Sequence, residues 1–379
     1  MSFENEVKRE KEEVIEKIEP NLTQYFPLSF PPGLICQAKS LENRKVEVEE
    51  EMQYIDLLRN IIDNGHMEMG RNGNTKSIFG ASMRFSLQNG KIPILTTKKT
   101  AWKTCLKELL WFISGSTDNK VLNAQNVHIW DGNATPEYLA TRGLSHYPEG
   151  ELGAIYGHQW RHFNAPLHFN APLHFNAPLH FNAPLHFNAP LHFSDSKSTT
   201  KYDSEWLKDD EEEKKVKEGG IDQLQQIIDQ LKNPLTRNSR RLIMTAWNPC
   251  QLDEMALPPC HIMCQFNVHD GNKLSCCMMQ RSSDTPVGAP FNIASYSFLT
   301  HLLAKHCGLE AYEFVYFMGN CHIYEEHLEP IKEIFNRKPF PFPTVSIKEV
   351  RENINDYKVE DFEIHNYLCH DVIKMKMVA

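Results

Sequence analysis

Apolar side chains recur along the chain with two different periods, and each period predicts a different kind of element. Ile55, Leu58, Ile61 and Ile62 are three or four positions apart, which is typical of the buried face of a helix. Gly65 follows and would end that helix. Further helices are predicted over residues 100–114, 221–231 and 291–307.

Strict alternation of apolar and polar positions predicts strands elsewhere. Ile262, Cys264, Phe266 and Val268 occupy every second position, as in a strand with one buried face. The other predicted strands are residues 83–87, 242–247, 273–280 and 312–318. Between the first helix and the first strand, residues 70–80 are rich in small side chains, which predicts a loop able to approach an anion closely.

Composition narrows the class of protein. The chain has 379 residues, a net charge of −9 and ten cysteines. The net negative charge argues against general nucleic-acid binding, which requires a positively charged surface. Ten cysteines without an apolar N-terminal signal favour free thiols in a reducing compartment, and no apolar run is long enough to span a membrane. We therefore expect a cytoplasmic protein, with the nucleus as a second compartment.

Two stretches differ from the rest of the chain in composition. Residues 1–50 are charged and then rich in proline, which predicts an arm and linker ahead of a domain at 51–379. Inside that domain, an insert at 162–218 consists of HFNAPL repeats and a charged run. A proline in every repeat prevents a helix or a central strand, so we expect this insert to be exposed and mobile.

Candidate chemistry concentrates between residues 255 and 296. Cys260 and His261 directly follow two prolines, which lack N–H donors and end the preceding element. A cysteine nucleophile acts as the thiolate, and a nearby cation such as Arg281 would favour that form. Asp284, Gly288 and Asn292 follow where a loop opens the next predicted helix.

Glu108 lies on the apolar side of the helix predicted at 100–114. Its neighbours three and four positions away are Cys105, Trp111 and Phe112. A carboxyl group among apolar side chains must be neutral, paired or functional. A structural ion pair is the alternative to a catalytic role.

Metal binding fits the cysteines poorly. Cys260, His261, Cys264, Cys276 and Cys277 are close in sequence, but their spacing matches no common structural zinc pattern. Alternation along a strand also sends neighbouring side chains to opposite faces. We expect no metal site.

Three strings in order, MALPPCH, QRSSD and VGAPFNIASY, closely resemble the thymidylate synthase family. The resemblance runs from about Gln53 to the C-terminus and is interrupted by the insert. It implies an α+β fold in which a large, mixed, twisted sheet packs with helices and one sheet face forms a dimer interface. It also implies reductive methylation of dUMP to dTMP by 5,10-methylenetetrahydrofolate, which is a cosubstrate.

The resemblance assigns each candidate residue a role. Catalysis would depend on the nucleophile Cys260 and, for proton transfer, on Glu108, Tyr156 and His261. The nucleotide would be held by Arg71, Arg281, Ser282, Asn292, His322 and Tyr324, with Arg240 and Arg241 reaching across from the partner subunit. The folate would contact Ile129, Trp130, Asn133, Asp284, Gly288, Phe291 and Ala379. The loop around Arg71 departs from the family pattern, because Gly70 stands where an acidic residue is usual.

Two other functions remain open at this point. Pyrimidine hydroxymethylases of the same fold run the first half of the reaction and finish with water, but they would have an aspartate suited to cytosine where this chain has Asn292. A catalytically inactive relative that acts as a scaffold is the second alternative. We expect dUMP, folate and a second copy of the chain as partners, and neither DNA nor a membrane.

Overall fold

A computed structural model of the chain describes residues 50–70, 72–167 and 219–376. Several sequence predictions lie outside these ranges, namely the N-terminal arm through residue 49, Arg71, insert residues 168–218 and Ala379. Within the described ranges, no helix has the length and apolar character needed to cross a lipid bilayer.

A six-stranded sheet forms the centre of the fold. Its strands are β1 (His66–Gly70), β2 (Gly73–Ser86), β3 (Ile243–Thr245), β4 (His261–His269), β5 (Lys273–Asp284) and β6 (Glu310–Tyr324). They lie in the order β1-β2-β6-β5-β4-β3. Only the central pair, β5 and β6, is parallel among these described strands. Strands β7 (Thr344–Ile347) and β8 (Phe362–His365) form a separate antiparallel pair.

Helices pack with this sheet and complete the α+β architecture. They are α1 (Met52–Asn64), α2 (Trp102–Ile113), α3 (Asn119–Asn123), α4 (Pro136–Thr141), α5 (Tyr156–His162), α6 (Gln223–Lys232) and α7 (Gly288–His306). Helix α7 makes the crossover that a parallel strand pair requires. It packs against β5, β6 and α2 and is buried on nearly every side. The predicted mixed sheet packed with helices is confirmed.

The helices predicted from periodicity are present, with small shifts at their ends. Gly65 ends α1 as predicted, because a Cβ at this position would lie 2.4 Å from the Ile61 carbonyl oxygen. The face predicted for α6 was wrong at one position. Ile221 precedes the helix, pairs with Phe163 and is 39% exposed, whereas Ile227 is buried in its place.

Two predicted loops are regular structure instead. Residues 70–80 mostly belong to a β1–β2 hairpin, whose last pair is Gly70 with Gly73. Strand β5 continues past the predicted end at residue 280 and reaches Asp284, which pairs with His322 on β6. Helix α7 begins at Gly288, three residues before the predicted start at residue 291, so Asn292 lies in its second turn. The candidate site is therefore carried mainly by a strand and a helix.

A β-bulge at the start of β4 reverses one prediction. His261 pairs with Gln280, and the register then shifts before Met263. A bulge adds a residue to one strand and changes which face the neighbouring side chains occupy. His261 is consequently buried while Ile262 is half-exposed. The prediction that Ile262 shares the buried face of β4 was therefore wrong, and Cys260 and His261 both line one cavity.

Candidate active site

A cavity of about 330 Å³ lies beside the end of β5 and the first turns of α7. Fifteen of the predicted site residues line it, from six separate stretches of the chain. They are Glu108, Ile129, Trp130, Asn133, Tyr156, Cys260, His261, Arg281, Ser282, Asp284, Gly288, Phe291, Asn292, His322 and Tyr324. Arg240 and Arg241 are exposed before β3 and are not among the described residues that line the cavity.

Cys260 lies at the entrance to β4 and is partly exposed to the cavity. Its backbone N–H donates to the Tyr156 hydroxyl at 2.7 Å, and its carbonyl accepts from the Arg281 backbone N–H at 2.9 Å. These two bonds hold the main chain of Cys260 from both sides. The backbone of residue 260 is therefore held at the edge of a solvent-accessible space, where the thiol can reach a ligand, as a nucleophile requires.

Arg281 brings a fixed positive charge to the thiol. Its Nη2 lies 4.0 Å from the Cys260 Sγ and 2.8 Å from the Pro258 carbonyl oxygen, and its Nε donates to the Pro259 carbonyl at 2.9 Å. The backbone carbonyls of both prolines thus orient the guanidinium. A guanidinium has five N–H donors, so donors remain for an anion in the cavity.

Gly319 makes this position of Arg281 compatible with the sheet. It lies on β6 opposite Arg281, and a Cβ there would be 2.8 Å from the Arg281 carbonyl oxygen. Any larger residue would push β5 and β6 apart at this point. A glycine at position 319 is therefore explained by close approach of two backbones.

Tyr156 and His261 form a stacked pair behind the thiol. Their ring centroids are 4.0 Å apart with planes 19° from parallel, and His261 Nδ1 lies 2.7 Å from the Tyr296 hydroxyl. Burial lowers the pKa of His261 to about 3, so the ring is neutral at pH 7. Burial, and then the Cys260 sulfur, raise the pKa of Tyr156, which therefore keeps its proton. Tyr156 can donate a hydrogen bond inside the cavity at neutral pH.

Glu108 is the carboxyl group that the sequence placed on an apolar face. Its Oε1 accepts from the indole N–H of Trp130 at 2.7 Å, and one side of the carboxyl borders the cavity. Burial raises the pKa of Glu108 to about 7, while the bond from Trp130 lowers it. A carboxyl group with a pKa near 7 can both give and take a proton at physiological pH.

Replacing Glu108 with glutamine should change how stability depends on pH. The folded pKa is about 7 and the ordinary value is 4.5. Between these values the unfolded state loses the proton while the folded state keeps it, so stability falls as pH rises. Glutamine cannot ionise, and its oxygen can still accept from Trp130. Relative to the parent, Glu108→Gln should gain at most about 3 kcal/mol between pH 4.5 and 7.5.

Urea unfolding of both proteins at several pH values measures this difference. Glu137→Gln, which removes an exposed carboxyl group on α4, is the matched control. Parallel curves of unfolding free energy for Glu108→Gln and the parent would contradict the raised pKa.

Asn292 projects from α7 beside a residue that the sequence analysis missed. Its Nδ2 donates to Gln280 Oε1 at 2.8 Å, and Gln280 also lines the cavity although it is only 2% exposed. The sequence did indicate this residue. Gln280 lies two positions after Met278 and four after Cys276, so the alternation of β5 places a polar side chain at a core position.

His322 and Tyr324 lie together at the end of β6. Their rings meet edge to face with centroids 5.3 Å apart, and His322 Nδ1 lies 2.9 Å from Asn320 Oδ1. An amide oxygen can only accept, so Nδ1 carries the hydrogen and Nε2 is an acceptor. Burial lowers the pKa of His322 to about 4, which keeps this ring neutral. The pair can therefore accept hydrogen bonds from hydroxyl groups.

Asp284 and Asn133 add polar groups to the cavity lining that suit a flat, polar ring system. Burial raises the pKa of Asp284 to about 6, so this carboxyl group is mostly ionised at pH 7. Asn133 is 7% exposed, and its Nδ2 has no hydrogen-bond partner among the described residues. A buried donor of this kind is costly unless a ligand satisfies it. Among the described residues, both in this cavity and outside it, no group of three or more His, Cys, Asp or Glu side chains is arranged to hold a metal ion.

The fold and the cavity define a class, namely an α+β protein whose candidate site combines a positioned cysteine, an adjacent arginine and a carboxyl group with a pKa near neutrality. Residues 52–379 match the family model of thymidylate synthase, so the chain belongs to the thymidylate synthase family.

Individual relatives agree with this family. The chain is 39% identical over 381 residues to the bifunctional dihydrofolate reductase-thymidylate synthase of Leishmania major, and 43% identical over 334 residues to that of Paramecium tetraurelia. These matches cover 95% and 88% of the chain but 64% and 62% of the two relatives. The thymidylate synthase of equine herpesvirus 2 is 42% identical over 331 residues, which cover 87% of the chain and 98% of the viral protein.

Proposed function

We propose that this chain catalyses the reductive methylation of dUMP to dTMP, with 5,10-methylenetetrahydrofolate as cosubstrate and dihydrofolate as the second product. One observation carries the proposal: the Cys260 thiol, 4.0 Å from the Arg281 guanidinium, shares a cavity with Asn292 and Glu108. These groups provide a nucleophile, an anion-binding charge, a base-reading amide and a proton carrier.

The nucleotide would lie with its base against α7 and its phosphate toward Arg281. Guanidinium groups bind phosphate oxygens in pairs, and Ser282 adds a hydroxyl donor beside Arg281. The ribose would lie against the acceptor atoms of His322 and Tyr324. Arg71 is proposed as a further phosphate ligand from its place in the family pattern.

Cys260 would supply the covalent step. Carbon 5 of uracil is a poor nucleophile until the thiolate adds to carbon 6, which moves an electron pair toward the O4 carbonyl and makes carbon 5 nucleophilic. The folate supplies the one-carbon unit and the hydride. Loss of the carbon 5 proton and cleavage of the carbon–sulfur bond then regenerate Cys260. The proton transfers would involve Glu108, Tyr156 and His261 together with ordered water.

Other residues of the cavity lining would hold the folate. The buried donor of Asn133 and the carboxylate of Asp284 can bind the polar edge of a pterin ring. The apolar surfaces of Ile129, Trp130 and Phe291 can hold its flat face. Gly288 leaves room for the ring at the start of α7, and Ala379 is proposed as a contact from the family pattern. We propose no metal in this chemistry.

A spectrophotometric assay for dihydrofolate formation tests the proposal. The purified chain should convert dUMP and 5,10-methylenetetrahydrofolate to dTMP and dihydrofolate in equal amounts. Formation of a 5-hydroxymethyl nucleotide without dihydrofolate would favour the hydroxymethylase alternative, and no reaction of a folded protein would favour the inactive scaffold.

We also propose that two copies associate through the outer face of the six-stranded sheet. Met279 lies beside Met263 on β4 and Phe317 on β6 and is 37% exposed, while Phe317 is 44% exposed. Ile243 on β3 pairs with Gln265 in the next row of the same face and is 43% exposed. A contiguous apolar patch of this kind is typical of an interaction site, and a symmetric dimer would cover it with its own copy.

The same face connects to Arg240 and Arg241. Gln265, which lies between Ile243 and Cys277 in the sheet register, donates to the Arg240 carbonyl at 3.0 Å. Both arginines would therefore project from the edge of the dimer interface and could reach the phosphate in the partner subunit.

Mixed dimers should recover activity if sites are shared. Neither Cys260→Ser nor Arg240→Ala homodimers should turn over well, but a heterodimer contains one site with an intact cysteine and an intact arginine. After subunit exchange, verified by mass spectrometry of tagged chains, activity should rise toward one quarter of the parent's. Absence of recovery in exchanged dimers would argue against shared sites.

We further propose that residues 51–379 form the catalytic domain, that 1–50 are an arm outside it and that the protein acts in the cytoplasm. The family match from residue 52 supports the boundary. The ten cysteines support a reducing compartment.

A further inference from the structure

A buried chain of side chains lies behind Asn292 and ends at a tyrosine. Tyr316, on β6, donates from its hydroxyl to Gln280 Oε1 at 2.7 Å, and the same oxygen accepts from Asn292 Nδ2 at 2.8 Å. Ser283 Oγ lies 3.2 Å from the Tyr316 hydroxyl. Tyr316 and Ser283 are both 0% exposed, so neither can exchange these bonds for bonds to bulk water.

The orientation of Gln280 follows from its partners. One end of its amide lies 2.8 Å from the Ser282 carbonyl oxygen, which can only accept, so that end must be Nε2. The other end is then the oxygen, and Tyr316 supplies a donor to it. Two contacts, one at each end, therefore prevent the Gln280 amide from turning over.

The orientation of Asn292 follows in turn from Gln280. Its Nδ2 faces the Gln280 oxygen, and a half-turn of the Asn292 amide would bring two carbonyl oxygens together. One N–H of Asn292 is used in this bond. The amide also has a second N–H and a carbonyl oxygen, and these can meet the edge of a base in the cavity.

This orientation matters because uracil and cytosine present opposite patterns. Uracil offers an acceptor at O4 and a donor at N3, whereas cytosine offers a donor at its amino group and an acceptor at N3. A neutral asparagine can match either base, depending on which way its amide is turned. The identity of Asn292 alone therefore cannot exclude cytosine.

We propose that Tyr316, supported by Ser283, is a positioning residue that sets the preference for uracil over cytosine by fixing the amides of Gln280 and Asn292. The inference rests on the proposed function and adds a specificity determinant to it. Burial raises the pKa of Tyr316, so its hydroxyl remains a donor across the physiological range. Because Tyr316 does not line the cavity, it acts on the base only through Gln280 and Asn292.

Tyr316→Phe removes the hydroxyl and keeps the ring. We expect the Kd for dUMP, measured by direct titration, to rise about 3- to 10-fold, because a buried oxygen loses one of its two donors. The ratio of dCMP to dUMP dissociation constants should fall about 10-fold, because the amides can now turn. Tyr357→Phe, which removes another buried tyrosine hydroxyl, bonded to the Arg351 backbone, should leave that ratio unchanged.

A double-mutant comparison separates positioning from general loosening of the core. In an Asn292→Ala background, adding Tyr316→Phe should change dUMP binding less than twofold, because the group it positions is gone. Ser283→Ala should shift the dCMP to dUMP ratio in the same direction by a smaller factor, and it serves as the test if Tyr316→Phe does not fold. An unchanged ratio in both folded single variants, or an equal loss in the Asn292→Ala background, would overturn the inference. Failure of the parent protein to bind dUMP would contradict the proposed function, and it is distinguished from failure of this inference by testing the parent before the variants.

Discussion

Cys260→Ser should eliminate turnover and covalent capture of 5-fluoro-dUMP while leaving dUMP binding within a few-fold of the parent. The fluorine on carbon 5 cannot leave as a proton does, so the parent should stop as a covalent complex with nucleotide and folate. A serine hydroxyl is far less acidic than a thiol, and Arg281 at 4.0 Å cannot make up that difference. The backbone bonds of residue 260 to Tyr156 and Arg281 do not involve the side chain, so the cavity should keep its shape.

Intact mass spectrometry checks this result. Parent protein mixed with 5-fluoro-dUMP and 5,10-methylenetetrahydrofolate should gain the mass of both ligands, and Cys260→Ser should gain nothing. Cys250→Ser, which removes an exposed thiol outside the cavity, is the matched control and should still form the adduct. Peptide mapping of the adduct to Cys250 or Cys264 would show that the wrong thiol had been assigned.

Periodicity alone predicted most of the regular structure but not the assembly of the site. Spacing of apolar residues located α1, α2 and the later part of β4, because these elements each bury one face. Glu108, Cys260 and His322 come from three elements that are far apart in sequence, and nothing in their local patterns indicates that they meet. Only the resemblance to a known family predicted that they share a site.

The errors have local physical causes. Alternation predicts a regular strand, and the bulge before Met263 is set by pairing with β5, which the sequence of β4 does not reveal. The end of β5 was placed too early because Arg281 and Ser282 are polar, yet they pair with β6 where the sheet borders the cavity. Polar residues at the end of a strand can thus mark a site that lies on the sheet itself.

The protonation states could not be read from the sequence either. Burial moves the pKa of Glu108 up to about 7 and that of His261 down to about 3. Both shifts depend on how closely other parts of the chain enclose these groups. One consequence is chemical: of these two groups, only Glu108 exchanges a proton near pH 7, so it is the better candidate for the titrating group in a pH–rate profile.

Asn292→Asp should lower kcat/KM for dUMP by about 10²- to 10⁴-fold, because a site built to pair with one polar edge strongly penalises a mismatch. The aspartate has no N–H for O4 of uracil. It would also place a carboxylate oxygen against Gln280 Oε1, where the amide now donates at 2.8 Å. Two acceptors at that distance repel each other, so the carboxyl group must hold a proton there or Gln280 must turn against its contact with the Ser282 carbonyl.

Cytosine should gain from the same change. Its amino group can donate to the carboxylate, and a proton shared with N3 completes the pair. The ratio of kcat/KM for dCMP to that for dUMP should therefore rise, even if turnover of dCMP remains slow. The control is Asn292→Ala, which should lose dUMP activity without gaining any preference for dCMP, because it removes the donor and adds no acceptor. Activity of Asn292→Asp on dUMP within a few-fold of the parent would mean that this side chain does not read the base. The chain of bonds from Tyr316 would then have no specificity to set.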